Sequence, residues 1–223
     1  MVYKLKHHLL CQMEILLING GFILVDAAGD GLDANGSITM TGGTAIVNGP
    51  ENNGNGALDY DGSFDMQGGT LIAAGSTGMA QAPSISSAQA SINVILPSAV
   101  SNTLVTVKNS AGEEVLSFMP TKSCQSIVIS SPELVTGETY SVYYGGTASG
   151  TENGGLYTDG TADEGTLLTE FTLSSSVMTV SSLGATEGMG GGMMHGGGGR
   201  GQGGMQGGMQ GENIPNMPGI EAQ

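Results

Sequence analysis

The chain of 223 residues contains no tryptophan, so no platform of indole rings can be built from it. Basic residues are nearly as scarce. Five Lys and Arg oppose 20 Asp and Glu, a formal charge of −15, and nucleic acid and anionic membrane surfaces are set aside as partners because that field repels them. The two cysteines, Cys11 and Cys124, lie in unrelated segments and cannot make a multi-bridge framework; without a CxxC or a Cys/His cluster, zinc has no support. No apolar run is long enough to span a membrane. The start, MVYKLKHHLLCQ, is basic and then only briefly apolar, too short for a signal-peptide core, and Leu10 stands where a lipobox needs a small residue.

Glycine and aspartate are what the chain does have. Glycine totals 40 residues, and six of the eight aspartates (Asp26, Asp30, Asp33, Asp59, Asp61 and Asp65) fall in one short stretch. Short Asp side chains suit oxygen cages at turns, where a carboxylate is held close to its own backbone. The same stretch is repetitive. LDANGSITMTGGTAIVNG recurs as LDYDGSFDMQGGTLIAAG with an offset of 26, matching Asp33 to Asp59, Gly36 to Gly62, Met40 to Met66 and Gly43 to Gly69. A partial third copy, LLINGGFILVD, places Gly20 where Gly42 follows, an offset of 22. Each unit reads as a short strand, a Gly-Gly corner, a second strand and a polar loop. Repeats of this size stack as coils of a right-handed parallel β-helix, each coil hydrogen-bonded to the next.

The expected architecture is therefore all-β. Residues 1–12 form an anomalous segment, residues 13–79 the coils, and residues 80–91 a linker or lateral loop. The break between residues 1–12 and the clean repeat suggests that upstream coils are missing, so the helix is expected to be truncated, with few coils. Residues 92–181 follow as an antiparallel module, with strands at 92–96, 103–107, 114–118, 126–130, 139–144, 167–173 and 177–180, read as a small sandwich that caps the coils. Residues 182–223 read as a disordered Gly/Met-rich tail. In that tail, His195 with Met189, Met193 and Met194 offers soft copper ligands or a plain flexible spacer.

Chemistry concentrates at two corners, AGDGLDANG and GNGALDYDG. Asp30, Asp33 and Asn35 of one coil, with Asp59 and Asp61 of the next, could supply hard oxygens to calcium, since equivalent positions on adjacent coils sit about 4.8 Å apart. The competing reading is turn chemistry, because Asn and Asp also cap their own backbone. Tyr60, between the two aspartates, is the candidate ring for a sugar. Catalysis is not expected, because no Lys, Arg or His occurs between Leu9 and Val107 to serve a lyase or hydrolase.

The segments VDAAGDGLDANGSITMTGGTAIVNGP and GALDYDGSFDMQGGTLIAAG together resemble bacterial carbohydrate-binding domain proteins, a family formerly of unknown function with a pectate-lyase-like shape. The resemblance covers most of residues 13–181. It implies a secreted or surface protein that binds calcium at Asp-rich corners and associates with plant polysaccharides such as pectin or cellulose. Its corner motif falls on Asp30, Gly31, Leu32, Asp33, Asn35 and Gly36, with a weaker copy on Leu58, Asp59, Asp61 and Gly62, where Asn55 takes the place of Asp30. The expectation is a non-catalytic, calcium-dependent polysaccharide binder; the alternative is a structural adhesin or spacer.

Overall fold

Runs of β-branched and aliphatic residues punctuated by glycine, asparagine and proline favour strands, and the computed structural model, which describes residues 14–189 and the backbone of residues 2–6, is all-β. The repeat region holds β1 (Val2–Lys6), β2 (Ile15–Asp26), β3 (Leu32–Ala34), β4 (Ser37–Asn48), β5 (Leu58–Tyr60), β6 (Phe64–Met66) and β7 (Thr70–Gly75). These strands pair in parallel. Ile18 lies opposite Met40 and Val25 opposite Val47, a spacing of 22. Ile38 lies opposite Phe64, Ile46 opposite Ile72 and Leu32 opposite Leu58, a spacing of 26. The repeat offsets in the sequence are thus the registers of the parallel ladders. β1, from the segment read as anomalous, also pairs in parallel with β2, in keeping with the strand period of VYKLK.

The Gly-Gly corners stack in the same register. Gly21, Gly43 and Gly69 all take positive φ, and a Cβ on Gly43 would stand 2.6 Å from the Gly20 carbonyl carbon and 2.7 Å from the Gly21 oxygen. Only a residue without a side chain lets one corner sit on the next.

The remaining strands are β8 (Ser91–Val100), β9 (Val105–Asn109), β10 (Glu114–Phe118), β11 (Cys124–Ser130), β12 (Thr139–Tyr144), β13 (Thr147–Ala148), β14 (Thr151–Asn153), β15 (Leu156–Thr158), β16 (Ala162–Asp163), β17 (Thr166–Thr172), β18 (Val177–Ser181) and β19 (Gly184–Glu187). They do not form a separate antiparallel sandwich. β11 pairs with β7, so the coil sheet continues in the order β1-β2-β4-β7-β11-β8-β18-β19, with β6 beside β4, and β18 joins β8 in parallel. A second sheet, β14-β15-β10-β9-β12-β17, supplies the other layer. β19 occupies the first residues of the stretch assigned to the tail. The strands belong to one unit, Met1–Met193. Most of the expected tail, including His195, and residues 7–13 lie outside the described residues.

The mixed sheet follows from which residues are apolar on each face. Along β4, Ala45 and Val47 enter one core with the other repeat strands, while Ile46 points the other way into a second. β7 repeats this with Leu71 and Ala73 against Ile72 and Ala74, and β11 with Val128 against Ile127 and Ile129. The outward set meets Val105, Val107, Leu116, Phe118, Tyr140 and Val142 of the second sheet. Strands buried on both faces read as continuous apolar runs, as TLIAAG and SIVIS do. Cys124 lies in this second core, where burial pushes its thiol up to about 12 and leaves it unreactive.

Within residues 80–91, read as a linker or lateral loop, residues 81–89 run beside β5 and β6 as a strap. Tyr60 N–H donates to Gln81 Oε1, Phe64 N–H to Ser84 Oγ and Met66 N–H to Ser87 Oγ, while Ser84 N–H and Gln89 N–H donate to the carbonyls of Phe64 and Met66. Serine and glutamine side chains here take over the donors and acceptors that a further coil would satisfy. At the other side, buried Asn48 bridges distant segments: its Nδ2 donates to Gly154 O at 3.0 Å and its Oδ1 accepts from Thr121 N–H at 3.1 Å.

Replacing Gly43 by Ala is expected to cost about 2–4 kcal/mol, because φ and space both oppose a side chain. Gly112→Ala, with positive φ but nothing within 4 Å, should cost only about 1–2 kcal/mol. Asn48→Ala should cost about 2 kcal/mol or more through the orphaned Thr121 N–H. Urea melts of the three variants check the order.

Candidate functional site

The acidic corner is built by the short ladder of β3 on β5. Leu32, Ala34 and Leu58 are buried beneath this ladder, so the residues between and after them, Asp33, Asp59 and Tyr60, sit at its partly exposed rim. Register places Asp33 directly opposite Asp59, one strand spacing away at about 4.8 Å. Backbone bonds hold the stack: Gly31 N–H to Gly56 O at 2.9 Å, Leu32 N–H to Ala57 O at 3.0 Å and Asp61 N–H to Ala34 O at 3.2 Å. Gly31 must be glycine, since a Cβ there would lie 2.2 Å from Ala57 O.

The same spacing of 26 sets Gly56, not Asn55, opposite Asp30. Gly56 N–H donates to Asp30 Oδ1 at 2.8 Å, so one oxygen of this carboxylate is already held by the turn of the next repeat. Asn55 instead donates through Nδ2 to Asn52 Oδ1, which also accepts the Gly54 N–H. Asn35 and Asp61 are exposed at the rim. The loop between the coils is thus partly satisfied by its own side chains.

The electrostatics are one-sided. Partial burial, and then the neighbouring charges of Asp30, Asp33 and Asp61, hold the Asp59 carboxyl above its ordinary value of 3.8. Among the described residues no three His, Cys, Asp or Glu side chains converge tightly enough to hold a metal ion as they stand. The oxygens at this corner are the carboxylates, the amide oxygen of Asn35 and the turn carbonyls, all hard donors.

Tyr60, the candidate ring for a sugar, is partly exposed. Its hydroxyl donates to Ala82 O at 2.6 Å, and its ring meets Phe64 edge-on with centroids 6.0 Å apart. Burial raises its phenol above the ordinary value. The ring fastens the strap to the coil. Position next to two aspartates gave no signal of this; the partner, Ala82, is 22 residues away.

The lysines with described side chains are both paired. Lys108 meets Glu164 at 2.8 Å, and Lys122 meets Asp26 while also donating to Ala27 O at 2.6 Å. Neither neutralises the corner ladder. Comparison with protein-family models, with curated proteins and with solved structures finds no match.

Because the folded chain holds a proton on Asp59 more tightly than the unfolded chain does, ionising it opposes folding. That cost is fully present at pH 7 and fades as pH falls towards 3.8. Asp59→Asn should therefore raise the Tm at pH 7 by roughly 1–3 °C, a small gain because the group keeps part of its hydration. The difference from the parent should shrink on acidification. Thermal melts from pH 7 to pH 4 in chelator measure it, and a variant less stable than the parent at pH 7 contradicts it.

Proposed function

We propose that the protein is a non-catalytic, calcium-dependent polysaccharide-binding protein of the cell surface or exterior, in which residues 13–79 are coils of a right-handed parallel β-helix. The observation that carries the reading is the direct register of Asp33 on Asp59, with Asp30 and Asp61 adding charge around them. Like charges one strand spacing apart oppose folding unless a cation lies between them, and a divalent ion removes the repulsion at its source. Asp30, Asp33, Asn35, Asp59 and Asp61 would hold calcium. The bound ion supplies a positive centre through which the carboxylates of an acidic glycan can meet an otherwise repulsive surface. Parallel pairing at spacings of 22 and 26 supports the coil reading. The lack of any basic residue from Leu9 to Val107 supports binding without catalysis.

A second reading, a structural adhesin or spacer, has an observation of its own. Asp30 and Asn52 spend side-chain oxygens on turn N–H groups, which is what aspartate and asparagine do in purely structural corners.

Calcium titration separates the two. Under the binding reading, millimolar calcium raises the Tm by several degrees, and Asp33→Asn/Asp59→Asn abolishes the rise. Polygalacturonate then binds in calcium and is released by chelator. A melting curve indifferent to calcium, with no glycan retained, leaves the structural reading.

A further inference from the structure

The chain holds six Asn-Gly pairs, at Asn19, Asn35, Asn48, Asn53, Asn55 and Asn153. Such a pair can modify itself: the glycine nitrogen attacks the asparagine Cγ, a C–N bond forms, ammonia leaves, and water then opens the cyclic imide to aspartate or isoaspartate. Glycine in second place permits the attack because it carries no Cβ to obstruct it. The other condition is structural. The glycine peptide must rotate and its N–H must give up a proton, so packing and hydrogen bonds at that peptide decide which pair reacts.

Five of the pairs are held. Asn48 is buried with Nδ2 and Oδ1 both bonded, and Gly49 N–H donates to Ala74 O at 2.9 Å. Gly56, after Asn55, is buried; its N–H donates to Asp30 Oδ1 and its carbonyl accepts from Gly31 N–H. Gly36, after Asn35, is packed on the Glu14 carbonyl and accepts the Gly62 N–H at 2.6 Å. Gly154, after Asn153, is packed against Leu24 and accepts from Asn48 Nδ2. Asn19 lies inside β2, where its Oδ1 accepts from Thr41 Oγ1 at 3.0 Å.

The pair of Asn53 and Gly54 is held far less. Asn52, Asn53 and Gly54 are exposed between β4 and β5, and a Cβ on Gly54 would meet nothing nearer than Asn52 Oδ1 at 3.4 Å. That same Oδ1 accepts the Gly54 N–H at 3.0 Å, so one exposed side chain, and no packed backbone, restrains the attacking nitrogen. We propose that Asn53 is a site of self-modification, converting to aspartate and isoaspartate ahead of the other five, with Asn52 as the brake. Conversion adds a negative charge to a chain already at −15. Isoaspartate also lengthens the backbone at Asn53, where the turn is packed on Gly78 and tied through Asn52 Nδ2 to Ala28 O. The inference is independent of calcium and of any glycan.

The test ages the full chain in mildly alkaline buffer, where the amide loses its proton more readily. Anion exchange then resolves a more acidic form, and peptide mapping by mass spectrometry places its conversion at Asn53, about tenfold or more ahead of each other pair. In urea, where packing is gone, that lead disappears. Asn52→Ala leaves the reacting dipeptide unchanged but frees the Gly54 N–H, and speeds conversion about threefold or more. The comparison of native and urea-unfolded parent needs no variant to fold. No acidic form, conversion that begins at another pair, or a lead of Asn53 that survives urea overturns the site; a rate unchanged in Asn52→Ala overturns the part given to Asn52.

Discussion

The structure depends on one constraint: its central strands must bury both faces at once. β4, β7 and β11 alternate side chains between a core formed by the repeat strands and a core shared with the second sheet, so Val47 and Ile46, or Ala73 and Ile72, serve different interiors from adjacent positions. A register slip of one residue would exchange the two sets and ruin both cores together. That coupling explains why the coil strands and the downstream strands form one continuous sheet. A short parallel stack has too little interior to be stable by itself, and here its outer face gains a second layer.

Around that sheet, stacking is permitted by what the corners lack. Gly43 on Gly20 and Gly21, and Gly31 on Ala57, bring backbone to backbone at distances that leave no room for a Cβ. Close approach has an electrostatic consequence. Whatever projects outward from one repeat is repeated one strand spacing away on the next, so a solvated aspartate in one repeat becomes the Asp33–Asp59 pair in two. The strap at residues 81–89 is the counterpart at the end of the stack, where serine hydroxyls, a glutamine side chain and the Tyr60 hydroxyl satisfy an edge that no further coil covers.

Much of this was legible from residues alone. The offsets of 22 and 26 between Gly-Gly motifs are the ladder registers, because parallel strands from successive repeats pair like residue with like residue. The strands at 114–118 and 139–144 fall where alternation and turn residues put them. Other features left no trace. The excursion from Gly145 to Gly165, with its four short strands, has too little apolar periodicity to read, and its anchor is the long-range bond from Asn48 to Gly154. Segment 80–91 looks like a linker because it is small and polar; those same side chains make it a strap. Equally, nothing in the residues beside Tyr60 signals that its hydroxyl meets Ala82, 22 residues on.

The sequence by itself determined the all-β class, the repeat spacing and the composition of the acidic corner, since these depend on local chemistry: strand propensity, glycine at positive φ and recurring motifs. Tertiary structure alone decided that Asp33 faces Asp59 while Asp30 spends an oxygen on Gly56, and that β11 joins β7. Each of these is a meeting of residues far apart in the chain. No local preference encodes such a pairing; it is settled by the requirement that both faces of the central sheet be covered.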